Sequence, residues 1–416
     1  MRLENFTRAI SLISGLVSIY ILTFYFKDKM EYDFDFWLNL VTVIFLLKYY
    51  SLYNARYLIF GYKSKMRIII LISVFFMILS PYTLFVTYPL LLMKSKYYSI
   101  ENIYGQSVAF FLPFMHPESF FHVEGAAKAF VLINGVFLYS AGYEKLISPL
   151  WQKGKAVEGF LSLPYLIKPW ALPTIKKFSF FGNFIVFFEY LFIFSLFTPT
   201  TSILFQIFIL IFGISLFTIL DISYIGQLLI ISMTGCLLIW TSHEIDTVDW
   251  SINNIVVFLI VSCSLVNCFY PTKLLSNIMK LTTGAVTSIK VFTEVHLTGV
   301  YTYKFKKNGD DILMAFDKDG LFHKSQIFTS RYKQSAMYKI TDYCLGAKNE
   351  KDIADIAFQA SRGNTVTLCV KPYDALESYQ EYKNSSWIEI TEVSFDDCFK
   401  IKKLNRPPGV KTYRKI

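Results

Sequence analysis

Charged side chains are scarce in this chain. They make up 17% of its 416 residues, whereas hydrophobic residues make up 54% and aromatic residues 18%. An ordinary soluble protein has about 25% charged and 45–50% apolar residues. The composition therefore excludes a disordered chain, argues against an entirely soluble enzyme, and predicts that part of the chain lies in lipid.

The chain also lacks paired cysteines and the common cofactor motifs. Its six cysteines are scattered, with no CxxC pair, so neither a disulfide framework nor a zinc site is indicated. We find no RNA-recognition motif and no dense basic stripe with interleaved aromatics, which argues against a nucleic-acid partner. The last 130 residues contain no Ser/His/Asp constellation, P-loop or GxGxxG pattern.

The few charges are unevenly distributed. Residues 1–270 hold 18 of the 41 basic and 15 of the 31 acidic residues, a net charge of +3, and the remainder holds 23 and 16, a net charge of +7. This shift predicts a transmembrane domain over 1–270 and a soluble C-terminal domain over 281–416. The expected fold is an all-α polytopic membrane domain followed by a small α+β domain.

The N-terminal part contains long apolar segments. A membrane-crossing helix needs about 20 mostly apolar residues. The sequence predicts eight such helices, at 7–26, 38–60, 68–93, 126–145, 178–198, 201–219, 222–241 and 252–270. The segment 94–125 is too polar to cross and is broken by prolines, so we expect it to be interfacial or re-entrant.

The loops predict the orientation. Lys63, Lys65 and Arg67 follow the second segment, and five lysines lie between 153 and 177, whereas acidic residues occupy the intervening loops. Basic loops face the cytoplasm. A cell-membrane protein with an even number of crossings would then have both termini in the cytoplasm.

The C-terminal domain shows strand and turn signals. Residues 291–305, 365–370 and 387–393 are typical of strands, and 351–361 of a helix. The Asn308-Gly309 pair predicts a tight hairpin turn.

Ionisable residues inside apolar segments are costly, on the order of 2.5–3.5 kcal/mol at the membrane centre, so each is a functional candidate. Lys48 and Lys128 lie near helix ends, where a long side chain can snorkel; we expect Tyr49 and Tyr50 to assist Lys48. Glu189 is nearly central in its segment. Asp221 lies at a predicted turn, where helix capping is the alternative role.

The fourth segment is the most informative. Asn134 and Lys145 fall on one helical face, Gly135 and Gly142 would allow close packing against another helix, and Glu144 points about 100° away from Lys145. The residues that carry a resemblance are Tyr139-Ser140-Ala141-Gly142-Tyr143-Glu144-Lys145-Leu146, followed by Trp151 and Gly154.

This pattern resembles the signature of the HTTM (horizontally transferred transmembrane) domain family, which includes the vitamin K-dependent γ-glutamyl carboxylases. Glu189 also matches an acidic position of that family. In the carboxylases the motif lysine is the base that deprotonates vitamin K hydroquinone, and peptide glutamate is then carboxylated. The resemblance covers 1–270 and implies this role for Lys145, with a reduced quinone as cofactor and a peptide as substrate.

Three functional hypotheses remain open. The first is a bacterial membrane enzyme that matures a peptide or acts on a lipid-soluble substrate, without a metal. Its predicted catalytic residues are Lys145, Glu189 and Asp221, supported by Asn134, Tyr139, Glu144 and Trp151. The second is a non-enzymatic transporter or immunity factor, and the third is a membrane anchor for the C-terminal domain.

Overall fold

The N-terminal part of the chain is helical. The computed structural model describes residues 2–28, 34–95, 100–115, 123–152, 181–220, 223–240, 243–245, 247–281, 300–313, 330–373 and 384–409. Its N-terminal helices are α1 (Arg2–Phe24), α2 (Phe34–Asn54), α3 (Arg56–Phe60), α4 (Met66–Leu79), α5 (Leu84–Lys94), α6 (Ile100–Phe111), α7 (Val123–Ile147), α8 (Pro149–Gln152), α9 (Phe181–Ser195), α10 (Pro199–Thr218), α11 (Ser223–Ile239), α12 (Ile252–Phe269) and α13 (Lys273–Leu281).

Among the residues that the structure describes, five helices are long and apolar enough to cross a membrane. They are α1, α2, α7, α10 and α12, and three shorter apolar helices accompany them: Met66–Leu79, Gly182–Ser195 and Tyr224–Ile239. These helices are compatible with the predicted membrane protein. In α7 the apolar stretch is 89% buried, against 28% in α10, which makes α7 the central helix of the bundle.

Local sequence explains where several helices begin. The Thr198 hydroxyl accepts a hydrogen bond from Thr201 N, and Pro199 occupies the first turn, where its missing N–H costs nothing. Ser251 caps α12 by accepting from Asn254 N. These caps separate apolar stretches that would otherwise run together.

Two predicted segments are interrupted. The segment 68–93 consists of α4, a short 3-10 turn at Pro81–Thr83, and α5, because Pro81 has no N–H with which to continue α4. The segment 38–60 ends its long helix at Asn54 and continues as α3. In the predicted interfacial stretch, α6 lies inside the bundle, with every residue from 104 to 109 buried.

The two ends of the bundle are distinct. Strand β1 (Phe26–Asp28), after α1, pairs antiparallel with β2 (His243–Ile245), after α11; we call this the strand-pair end. Asp249 N donates to Phe24 O there, so α12 begins at the same end. Only five residues separate β1 from α2, too few to reach the far end of the bundle, so α2 starts at the strand-pair end and its last residue, Asn54, lies at the opposite end.

The described residues of the C-terminal domain form an antiparallel sheet and two helices. Its strands are β3 (Val300–Lys307), β4 (Asp310–Ile312), β5 (Val366–Tyr373), β6 (Ile388–Phe395) and β7 (Phe399–Lys403), in the order β4-β3-β5-β6-β7, and its helices are α14 (Ser330–Cys344) and α15 (Glu350–Ser361). The predicted turn is confirmed, since Asn308 and Gly309 have φ of 52° and 89° between β3 and β4. Residues 291–299 of the predicted first strand lie outside the described residues.

Helix α15 docks this domain on the membrane domain. The Asp355 carboxylate accepts a hydrogen bond from Tyr62 N at 3.0 Å, and Gln359 Nε2 donates to Asn54 O at 3.2 Å. The Phe358 ring lies 4.9 Å from that of Tyr57 and 5.2 Å from that of Tyr62. The end of the bundle that contains Asn54 therefore carries the C-terminal domain, and we call it the domain end.

Candidate functional site

An ion pair joins α7 to α9. Lys145 Nζ donates a hydrogen bond to Glu189 Oε2, and the two side chains are 8% and 5% exposed. Lys145 lies in the last turn of α7, where the negative end of the helix dipole favours a cation. Glu189 lies in the middle of α9, so the structure joins the two intramembrane charges that the sequence singled out.

Gly142 is what allows the pair to form. A Cβ at this position would lie 2.6 Å from Tyr190 Cα and 2.8 Å from the Glu189 carbonyl carbon, closer than non-bonded carbon atoms approach. Gly135, two turns earlier, also faces α9, but its Cβ would be an ordinary 3.7 Å from Ile193 and Leu196. Small residues thus bring the two helices together most tightly next to Lys145.

Aromatic side chains build the wall of the site. Nζ of Lys145 lies 5.6 Å from the ring centroid of Trp151, which is buried in α8. Tyr139 stacks on Tyr190 at 5.0 Å, and its hydroxyl donates to Ser11 O of α1 at 2.7 Å. The Tyr190 hydroxyl bonds to Ser11 Oγ at 3.2 Å, so both tyrosines are fixed against α1.

Glu144 belongs to a different pair. Its carboxylate lies 3.9 Å from the Arg8 guanidinium of α1. Lys145, the next residue, pairs with the carboxylate of Glu189 instead. The last turn of α7 is thus held by opposite charges on two sides.

Asn134 lies apart from Lys145. It is buried three turns earlier, where it accepts a hydrogen bond from the Tyr104 hydroxyl of α6 and donates to Phe130 O. Asp221 lies outside the described residues. The site that the structure builds is therefore Lys145, Glu189 and Trp151, and Tyr139 is linked to it through its stacking on Tyr190, the residue after Glu189.

Two other buried lysines of the N-terminal helices have different surroundings. Lys128 Nζ donates to Thr23 O at 3.3 Å and Phe26 O at 2.7 Å, so it caps the last turn of α1 at the strand-pair end. Nζ of Lys48 lies 4.0 Å from the ring centroid of Tyr224 of α11, whereas we expected Tyr49 and Tyr50 to accompany it. Tyr49 instead bonds to Thr87 Oγ1 at 2.8 Å.

Metal-ligating residues do not cluster in the described part of the chain. No group of three or more His, Cys, Asp or Glu side chains there is arranged to hold an ion. Asp249 accepts hydrogen bonds from Ser251 N and Asn254 Nδ2, which is a turn-capping arrangement.

The buried pair can exchange a proton without creating net charge. A lysine and a glutamate in contact are neutral as a unit, whether the proton is on nitrogen or on oxygen, and burial penalises separated charges. Transfer of the shared proton from Lys145 to Glu189 leaves a neutral amine, which is the form of lysine that can act as a base. The contact therefore makes the two side chains a single acid–base unit.

Two partners were not predicted from the sequence. Arg8 carries no motif, and only its position near the start of α1 indicated a polar helix end. Tyr190 directly follows Glu189, and helical geometry alone could not show that it stacks on Tyr139.

Comparison of the chain with protein-family models, with curated proteins and with solved structures gives no match.

Proposed function

We propose that the chain is a polytopic membrane enzyme of the HTTM type, in which the Lys145–Glu189 pair is the acid–base unit. The observation that carries the proposal is the contact between these two side chains across α7 and α9. A buried ion pair has a high desolvation cost, and membrane domains keep such groups mainly where they function. The motif around Lys145 supports the same assignment.

The substrate class follows from the surroundings of the pair. Aromatic and apolar side chains around Lys145 suit a lipid-soluble ring or an apolar peptide segment better than a polar metabolite. If a reduced quinone binds, Lys145 and Trp151 would hold it, and it would supply an acidic ring hydroxyl. With the pair's own proton on Glu189, the neutral amine of Lys145 would accept the proton of that hydroxyl, and the ring oxygen left as an anion would balance the ammonium.

The proposed topology has eight crossings. The five long helices and the three shorter apolar helices supply this number. Thr7 of α1 bonds to Tyr143 of α7, and Phe269 of α12 contacts Tyr143, so the pair lies near the start of α1 and the end of α12. With basic loops in the cytoplasm, both termini and the pair lie on the cytoplasmic side, where a newly made peptide would arrive.

A covalent change that depends on Lys145 would test this function. The peptides and quinones of cells that express the wild type, Lys145→Ala or Lys128→Gln would be compared by mass spectrometry. We expect a mass change with the wild type and Lys128→Gln that is lost with Lys145→Ala. Lys128 is a suitable control because it is also a buried lysine of α7, and glutamine can still donate to Phe26 O.

The second candidate is a non-enzymatic transporter or immunity factor. The tight contact of Gly142 with α9 favours it, because the pair could serve helix packing or an ion relay alone. This candidate predicts that Glu189→Gln disturbs transport or assembly while no peptide or quinone changes in mass.

The third candidate is a membrane anchor for the C-terminal domain, and the docking of that domain through α15 favours it. It predicts that deleting 281–416 abolishes function, whereas Lys145→Ala does not.

A further inference from the structure

Helix α13 has one face that is packed against the bundle. It follows α12 after Pro271, and Met279 is buried next to Ser264, whose hydroxyl donates to the Met279 sulfur at 3.3 Å. The Ser276 hydroxyl donates to Asn267 Oδ1 at 2.9 Å. These two bonds fold α13 back onto the end of α12 and fix its rotation.

A second apolar stripe of α13 is left uncovered. Leu274 is 73% exposed and Ile278 is 45% exposed, and they lie one turn apart on the same side of the helix. Lys273 and Asn277 form the next stripe and are also exposed. The packing of α13 against α12 therefore leaves an apolar stripe and a polar stripe side by side on the exposed part of the helix.

The helix that precedes the uncovered stripe, α12, also exposes apolar side chains. Val256 and Leu259 of α12 are exposed to the surroundings of the bundle, and Tyr270, at the turn into α13, is 42% exposed. The ring contact between Phe269 and Tyr143 places this turn at the domain end. Since α12 is one of the helices that can cross a membrane, its outer surface ends at a lipid headgroup layer.

We propose that α13 lies in the boundary between headgroups and acyl chains at the domain end. Leu274 and Ile278 enter the acyl region, and Lys273 reaches anionic phospholipid headgroups. Lys280, seven positions after Lys273, repeats the basic stripe in the sequence. Two contributions bind interfacial helices to anionic membranes: the burial of apolar side chains and the attraction of basic side chains to the headgroups. The assignment is independent of any role of Lys145.

Nitroxide labels would locate the helix in the full-length protein. Labels at Leu274→Cys, Ile278→Cys and Asn277→Cys would be compared in nanodiscs of phosphatidylcholine, with and without phosphatidylglycerol. The background would be Cys398→Ser, because Cys398 is exposed whereas the other five cysteines are buried or half-buried. Collisions with dioxygen report the acyl region, and collisions with a water-soluble nickel chelate report solvent.

We expect labels at 274 and 278 to collide with dioxygen and the label at 277 to collide with the nickel chelate. Phosphatidylglycerol should lower the nickel collisions at 274, and Lys273→Gln should weaken that effect. Equal access of the nickel chelate to 274 and 277 would overturn the proposal. Protection of 274 from both reagents would also overturn it, because it would show a second copy of the chain on this face. An identical result in both lipid compositions would overturn it as well.

Discussion

Gly142 of α7 lies directly against the backbone of Tyr190 of α9. No side-chain atom fits between them, since a Cβ at 142 would be 2.6 Å from Tyr190 Cα. This contact sets the distance between the two helices at the level of Lys145 and Glu189. The formation of the ion pair therefore depends on a residue that carries no functional group.

Gly142→Ala should weaken the membrane domain. The added methyl group must push α9 away, and overpacking of this kind costs about 1–3 kcal/mol. Thermal unfolding in detergent would measure the loss. Gly135→Ala is the matched control, because its methyl group would have an ordinary 3.7 Å contact with Ile193. Equal unfolding temperatures of the two variants would contradict the geometry.

The two halves of the Lys145–Glu189 pair should be coupled in stability. Removing one partner, as in Lys145→Met or Glu189→Leu, leaves an uncompensated buried group and should cost about 3–5 kcal/mol. Removing both should cost much less than the sum. A double-mutant cycle of unfolding free energies would measure this coupling. Additive losses would show that the side chains do not interact in the folded protein.

Much of the architecture could be predicted from local chemistry. Helical segments followed from apolar runs, and the hairpin at Asn308 and Gly309 followed from turn preferences. The interruption at Pro81 was missed, because both flanks are equally apolar. Strand β7 and helix α14 were missed as well, since neither has a long apolar pattern.

The site itself was only partly predictable. Lys145 and Glu189 stand out in the sequence because a charge in an apolar segment is costly, and this can be recognised for each residue without knowing its neighbours in space. Their pairing depends on the rotation of α7 and on the approach permitted by Gly142, which are tertiary properties. For the same reason the Arg8 partner of Glu144 could not be predicted, and Asn134, placed on the Lys145 face, is bonded to α6 instead.

Docking of the C-terminal domain should depend on α15. Asp355→Ala removes the acceptor of Tyr62 N, and a hydrogen bond to a charged group contributes about 1.5–3 kcal/mol. We expect faster proteolytic release of the domain from membranes. Asp352→Ala is the matched control, because Asp352 is bonded to Lys339 within the same domain. Equal release rates in the two variants would show that the docking contact does not hold the domain.

The cysteines of the C-terminal domain should differ in reactivity. Burial raises the pKa of the Cys344 thiol to about 12 and that of Cys369 to about 11, from an ordinary 9.0. At about pH 8, near the free cysteine pKa of roughly 8.5, both should stay protonated and react slowly. Exposed Cys398 should react fast with a thiol reagent, and Cys398→Ser should remove the fast phase. Labelling of Cys369 as fast as Cys398 would refute the burial effect.

These raised pKa values also set the direction of a stability change. The folded domain holds the two thiol protons more tightly than the unfolded chain does, so their contribution to stability is complete below the ordinary pKa of 9.0. It is lost as the pH rises towards the folded values. Unfolding temperatures of the domain should therefore fall above pH 9.0, and Cys344→Ala should reduce the slope.

The most direct test of the central claim is Lys145→Arg. Arginine keeps the positive charge and can still pair with Glu189, but it does not give up its proton in proteins. We expect an unfolding temperature close to that of the wild type and a loss of about 10²–10⁴-fold in the Lys145-dependent product, measured by mass spectrometry. Undiminished product formation by this variant would contradict the assignment of Lys145 as the base.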